Sequence, residues 1–221
     1  MSLRKSLHAL GVLLVAAATP AAYAQFSSST SANPTQWQFY GGLNVPTGSN
    51  SHLLDTGWTF GAGVTFRQPG APFGLRLDLS YANNNVSPHG LYQAAGAAQM
   101  RIDDGWVDTW ALTASGELRQ PFNNQTYGYA MLGMGLYYTR MELAEVGFGY
   151  VCNPWWNYCY IGTGHLVVGS DSSTKFGWNA GVGLGFNLGN GASWFVEARY
   201  AWIDTAHERL QFVPIVVGVR F

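Results

Sequence analysis

The stretch KFGWNAGVGLGFNLG, residues 175–189, constrains the fold more than any other part of the chain. Phe176, Trp178, Ala180, Val182, Leu184, Phe186 and Leu188 fill every second position, and glycine or asparagine fills the positions between. A period of two belongs to an extended strand whose two faces meet different surroundings. Here the unusual face is the other one: bulky apolar residues stand on one side, and almost nothing stands on the opposite side.

The pattern recurs. Trp37, Phe39, Leu43 and Val45 alternate with Gln36, Gln38, Tyr40 and Asn44. Trp58, Phe60, Ala62, Val64 and Phe66 alternate with Thr59, Gly61, Gly63, Thr65 and Arg67. Leu75, Leu77, Leu79 and Tyr81 alternate with Arg76, Asp78 and Ser80, and Trp110, Leu112, Ala114 and Leu118 with Thr109, Thr113, Ser115 and Glu117. Ala130, Leu132, Met134 and Leu136 oppose Gly133 and Gly135, although Met131 breaks the polar face. Trp194, Val196, Ala198, Tyr200 and Trp202 alternate with Glu197 and Arg199. The final FVPIVVGVRF places Val213, Ile215, Val217, Val219 and Phe221 on one face, completing a set of eight.

The connections sort by length. Those after the second, fourth and sixth segments are short: QPGAP (68–72), QPFNNQ (120–125) and GNG (189–191). Those after the first, third, fifth and seventh are mostly longer, near 46–56, 83–105, 140–175 and 204–211. Only 10% of the residues are charged and 48% are hydrophobic, against about a quarter charged in soluble domains. No apolar run after residue 24 reaches the ~20 residues a spanning helix needs. An apolar outside, a glycine-rich inside and alternating connection lengths predict an all-β, eight-stranded antiparallel up-and-down transmembrane β-barrel, with short periplasmic turns and long outer loops. Aromatic residues near the segment ends fit girdles at the two membrane interfaces. A soluble barrel would bury its apolar face inside and carry charge outside.

The N-terminus reads as an export signal. Arg4 and Lys5 precede an apolar stretch from Leu7 to Ala18, and Ala22-Tyr23-Ala24 has the form of a cleavage site. Residues 1–24 are therefore expected to be a cleaved signal peptide, 25–34 a polar linker, and 35–221 the barrel domain. Removing the signal leaves nine Lys+Arg against 12 Asp+Glu, a formal charge of −3 that suggests no nucleic-acid partner. No cysteine follows the cleavage site to carry a lipid anchor, and no appended peptidoglycan-binding domain is expected beyond Phe221.

FGWNAGVGLGF (176–186), FVEARY (195–200) and VPIVVGVRF (213–221) resemble, in order and spacing, the last three strands of the small eight-stranded outer-membrane barrel superfamily. OmpA-type and OmpX-type barrels and the outer membrane protein beta-barrel domain group belong to it. The resemblance covers 35–221 and implies a Gram-negative outer membrane, lipid around the barrel, periplasmic termini and a monomer. The terminal Phe221, with apolar residues at alternate positions before it, resembles the signal that the barrel assembly machinery reads. The fold does not fix an activity.

By the alternation Arg67, Arg76, Asp78, Glu117, Arg119, Glu197, Arg199 and Arg220 point inward, in the periplasmic half. An eight-stranded interior is only just wide enough for side chains, and buried charges must pair. A structural ion-pair plug is expected, with a charged constriction in a narrow pore as the alternative. The inward glycines could make room for a channel for small or hydrophobic solutes, or for large neighbours such as Tyr40, Tyr127 and Arg199. No enzyme activity is expected. Eight-stranded lipid A deacylases use a His-x-Ser-Asn stretch that is absent, as are GxSxG and HExxH; His207-Glu208 reads as a solvated loop pair.

Cys152 and Cys159 fall in the longest outer loop of an exported chain, so they are expected to form a disulfide. Zinc binding with His165 lacks a fourth ligand, and neither metal nor other cofactor is expected. Trp155, Trp156, Tyr158 and Tyr160 cluster around the pair, either packing on one another or forming an exposed aromatic surface for an unidentified extracellular ligand. The functions these features support are an envelope-structural, loop-presenting barrel first, then a narrow porin-like channel, then an adhesin.

Overall fold

A computed structural model of the protein describes residues 34–98, 102–153, 158–189, 191–204 and 209–221. Eight strands run in chain order: β1 Thr35–Thr47, β2 Gly57–Phe66, β3 Phe73–Asn85, β4 Asp104–Pro121, β5 Thr126–Asn153, β6 Tyr158–Gly189, β7 Ala192–Asp204 and β8 Arg209–Arg220. Each pairs antiparallel with its neighbours, and β8 pairs with β1 to close the barrel. Closure removes the edges that an open sheet would expose to hydrocarbon. At the seam, Trp37 N–H donates to the Phe221 carbonyl at 2.7 Å and Phe221 N–H to the Trp37 carbonyl at 2.9 Å. The Phe221 ring stacks on Phe39 at 5.9 Å. Pro214, which has no N–H to donate, lies where the β7–β8 ladder is interrupted between Ala198↔Ile215 and Ala201↔Phe212.

The bulky apolar faces point outward. Trp37, Phe66, Phe73, Phe122, Phe186 and Trp194 ring the end with the short turns; Trp58, Phe60, Tyr81, Trp110, Tyr138, Trp178 and Trp202 ring the other. Phe60, Trp58, Tyr81 and Trp110 touch one another across β2, β3 and β4. Just beyond this upper ring, Tyr81 Oη and Asn83 Nδ2 both donate to Asp108, at 2.5 and 2.8 Å. From Trp194 to Trp202 along β7 is about 27 Å of strand. That is roughly 20 Å along the axis at the ~40° tilt of such barrels, near the ~25 Å apolar band of an outer-membrane barrel.

Two connections differ from the sequence expectation. Residues 140–175, expected as a loop, continue as paired strand: β5 and β6 stay in register up to Asn153↔Tyr158, with one irregularity at Leu143/Ala144. Pairing with β4 stops at Ala144, so beyond it the β5–β6 hairpin continues as a two-stranded ribbon for about 30 Å. The runs VGFGYVC and YIGTGHLVVG, rich in β-branched and aromatic residues, favour that extension over an open loop. The connection between β3 and β4 carries a helix, α1, Pro88–Ala98. Ser87 caps it, accepting from Gly90 N–H at 3.1 Å, and Pro88 takes the first helical position, where its missing N–H costs nothing. Ser87 Oγ also donates to the His52 carbonyl at 2.6 Å, tying α1 to the β1–β2 connection and its short 3-10 turn, Gly48–His52.

Candidate functional site: the barrel lumen

Alternation along the strands sends two kinds of side chain inward, and they segregate along the axis. Toward the short-turn end, the β2–β3 turn and strands β3, β4, β7 and β8 bring Arg67, Arg76, Asp78, Glu117, Arg119, Glu197, Arg199 and Arg220 into one network. Glu117 is its hub: Arg67 Nη2 reaches it at 2.5 Å, Arg220 Nη2 at 3.1 Å, Arg119 Nη2 at 3.2 Å, and Arg76 Nη1 at 3.8 Å. Glu197 accepts from Arg76 at 2.6 Å, Arg199 at 2.5 Å and Tyr129 Oη at 2.8 Å. Asp78 pairs with Arg76 at 2.8 Å and lies 3.8 Å from Arg199. Gln38 links the two halves: its Nε2 donates to Asp78 at 2.9 Å, and its Oε1 accepts from Arg220 at 3.1 Å.

Five arginines face three carboxylates, and aromatic faces take up part of the surplus positive charge. The Arg119 guanidinium lies 4.1 Å from the Tyr127 ring centre, and Arg220 lies 5.1 Å from both Tyr129 and Phe195. Arg76 and Arg199 each lie 5.7 Å from Tyr40. These rings fit because glycines stand beside them. A Cβ on Gly185 would come within 2.1 Å of Tyr127 Cζ, and one on Gly183 within 2.3 Å of Tyr129 Cζ. Gly61 makes the same room for Tyr40, and Gly218 for Phe195. Rings take the space at these four glycines, while Asp78 and Gln38 take it at Gly63, Ser115 at Gly133 and Thr113 at Gly135.

Arg76, Glu117, Arg220 and Gln38 are each 0% exposed. A water-filled passage at this level would leave some of their surface accessible. A small cavity of about 40 Å³ above them, bounded by Tyr40, Thr113, Tyr137 and Glu197, has room for a water molecule or two. Above it the lumen carries a buried apolar cluster of Leu54, Val86, Val107, Ala111, Tyr137, Ala201, Ile203 and Phe212, beside the buried Asn44, whose Nδ2 donates to Asn84 Oδ1 at 2.6 Å.

Gln38, Tyr129 and Phe195 belong to the network yet do not stand out in the sequence. Their signal was positional: each sits on an inward register position next to a charged one. At the hairpin tip, the backbone sets Cys152 directly opposite Cys159. Facing residues in an antiparallel pair are spaced as a disulfide requires. The cysteine side chains lie outside the described residues, as do Trp155, Trp156 and the side chains of Tyr158, Tyr160 and His165; His207 and Glu208 do too. Among the described residues no three His, Cys, Asp or Glu side chains converge as a metal site.

A closed eight-stranded barrel with an apolar, aromatic-ringed outside and a polar, charged inside defines an outer-membrane β-barrel. The chain belongs to the outer membrane protein beta-barrel domain family, whose model matches residues 8–221, and this places it in a Gram-negative outer membrane. No curated protein matches it. Among solved structures it is similar to Neisserial surface protein A, with 13% identity and a TM-score of 0.54 over 85% of this chain and 96% of that one. It is also similar to a major outer membrane protein from Thermus thermophilus, with 11% identity and a TM-score of 0.51 over 86% and 99% of the two chains. At such identities the likeness concerns the fold.

Proposed function

We propose that this protein is a closed, non-enzymatic barrel that reinforces the outer membrane and holds a β-hairpin out from it. The observation that carries this reading is the lumen network: Arg76, Glu117 and Arg220 are sealed from water across the short-turn half. The same feature weighs against the narrow channel, whether for small or hydrophobic solutes. Glu117 and Glu197 each meet at least two arginines, so they serve as ionised anchors rather than as proton donors.

The lengths of the connections support one orientation. The short turns, with both ends of the barrel domain, face the periplasm, and the β5–β6 ribbon faces outward. The ribbon's aromatic tip is then the surface through which an adhesin-like contact would be made. Lipid is the partner around the girdles, and the barrel assembly machinery is the partner for the C-terminal strand ending in Phe221. With β8 paired to β1 and every strand of the barrel wall flanked on both sides, the barrel needs no second copy to close it. Nothing in the charge balance suits a nucleic acid.

The test is an epitope inserted between Asn153 and Tyr158, compared with one inserted in the turn between Pro121 and Thr126. Antibody should label the first on intact cells and the second only after the outer membrane is permeabilised. Labelling of the turn on intact cells would reverse the orientation.

A further inference from the structure

The outer half of the lumen holds a cavity that the envelope-structural reading does not use. It has a volume of about 430 Å³, within the ~300–1,000 Å³ range of small-molecule sites. Its walls come from parts of the chain far apart in sequence: Leu53 and Leu54 from the β1–β2 connection, Val86 beside α1, Val107 of β4, Met141 of β5 and Leu210 of β8. Helix α1 closes one side with Gly90, Gln93 and Ala94. Capping by Ser87, and its bond to the His52 carbonyl, fix that helix across the mouth.

The floor is closed. Ala111, Tyr137, Ala201 and Phe212 are buried below the cavity, and the ion network lies below them. A molecule entering from outside therefore has no way through. Polar groups gather on the β5–β6 side, where Thr139, Asp171 and Ser173 line the cavity. Asp171 is exposed and is the one ionisable group among the described lining residues; no cation pairs with it among the described residues.

We propose that this blind mouth cavity binds a medium-chain alkyl amphiphile from the external medium. The tail lies against Leu54, Val86, Val107 and Met141, and the head lies beside Asp171 and Ser173. With its polar groups, Gln93, Thr139, Asp171 and Ser173, outnumbered by a leucine-, valine- and methionine-lined wall, the recess fits an alkyl chain with one polar head better than a sugar, which needs polar partners all round, and methionine adapts to the chain's shape. The carboxylate makes a cationic or hydroxyl head acceptable and an anionic head unfavourable. Because the cavity is blind, this inference is compatible with a sealed barrel; the external source of the ligand rests on the orientation proposed above, whereas binding in nanodiscs is read independently of it.

The experiment is isothermal titration of the full barrel in phosphatidylcholine nanodiscs with decylamine, decanol and decanoate, each corrected against protein-free nanodiscs. Saturable one-to-one binding is expected for decylamine and decanol, with decanoate weakest. Asp171→Asn should weaken decylamine by about twofold to fivefold, the worth of an exposed ion pair, and leave decanol unchanged. Ala94→Trp, which fills the cavity from α1, should abolish binding of all three; Leu210→Trp fills it from β8 should the first variant fail to show the heat-modifiable band of a folded barrel. Signals no larger than those of empty nanodiscs would overturn the proposal. So would binding that survives both tryptophan variants, or a preference for decanoate.

Discussion

Replacing Glu117 with Gln removes the negative charge at the centre of the lumen while keeping the side chain's size. In the folded barrel the carboxylate has no water-accessible surface and lies within 4 Å of four arginines, at 2.5, 3.1, 3.2 and 3.8 Å. The substitution leaves five arginines facing two carboxylates. Arg76 and Arg220, sealed inside, cannot recover the loss from solvent, whereas Arg67 and Arg119 retain 11% and 17% side-chain exposure and can turn partly toward it. Breaking a buried pair costs about 3–5 kcal/mol. The amide still offers one acceptor, which places Glu117→Gln near the lower end, at about 3 kcal/mol. The assay is reversible urea unfolding in lipid vesicles, followed by tryptophan fluorescence and by the heat-modifiable gel shift. Glu197→Gln, with Arg76 and Arg199 as its ion-pair partners, should cost a similar amount. A loss below about 1 kcal/mol for Glu117→Gln, the level of an exposed pair, would refute the claim that the network is a sealed structural plug.

Other consequences are tested more simply. Gly185→Ala sets a methyl where Tyr127 Cζ now lies, within 2.1 Å, and should destabilise the barrel by about 1–3 kcal/mol as overpacking does; unchanged unfolding would mean that the ring does not fill the lumen there. Cys152 and Cys159 should be joined in the exported protein, stabilising the hairpin tip by about 2–3 kcal/mol on the chain-entropy estimate. Changing both to Ser should leave the barrel's heat resistance unaltered and make the hairpin protease-sensitive, whereas alkylatable thiols at both positions in unreduced protein would disprove the link. Deleting Phe221 removes both its hydrogen bonds to Trp37 and its stacking on Phe39, and should lower the amount of heat-modifiable protein in the outer membrane; equal band intensity would count against it.

The strands were legible because a membrane barrel enforces its pattern on every residue. Each outward position must be apolar and each inward one must fit a crowded lumen, so Trp178 and Gly177 disclose their faces without any knowledge of neighbours. The inward charges followed from the same rule, but their partners did not. Arg76 meets Glu197, which stands 121 positions away, only because closure brings β3 and β7 across one narrow lumen from each other. Helix α1 left a local signal in Ser87-Pro88 followed by an alanine-rich run, a cap and first-turn proline that the strand alternation around them overshadowed. The mouth cavity left none, since Leu53, Val107, Met141 and Leu210 look like ordinary apolar residues in four separate segments.

Single-channel recording in planar bilayers tests the sealed lumen most directly. The purified, folded wild-type barrel should insert without producing resolvable current steps across the usual voltage range. Reproducible, ohmic steps from the folded wild type would contradict a sealed lumen, because no ion could pass the level of Arg76, Glu117 and Arg220 unless those side chains were open to water.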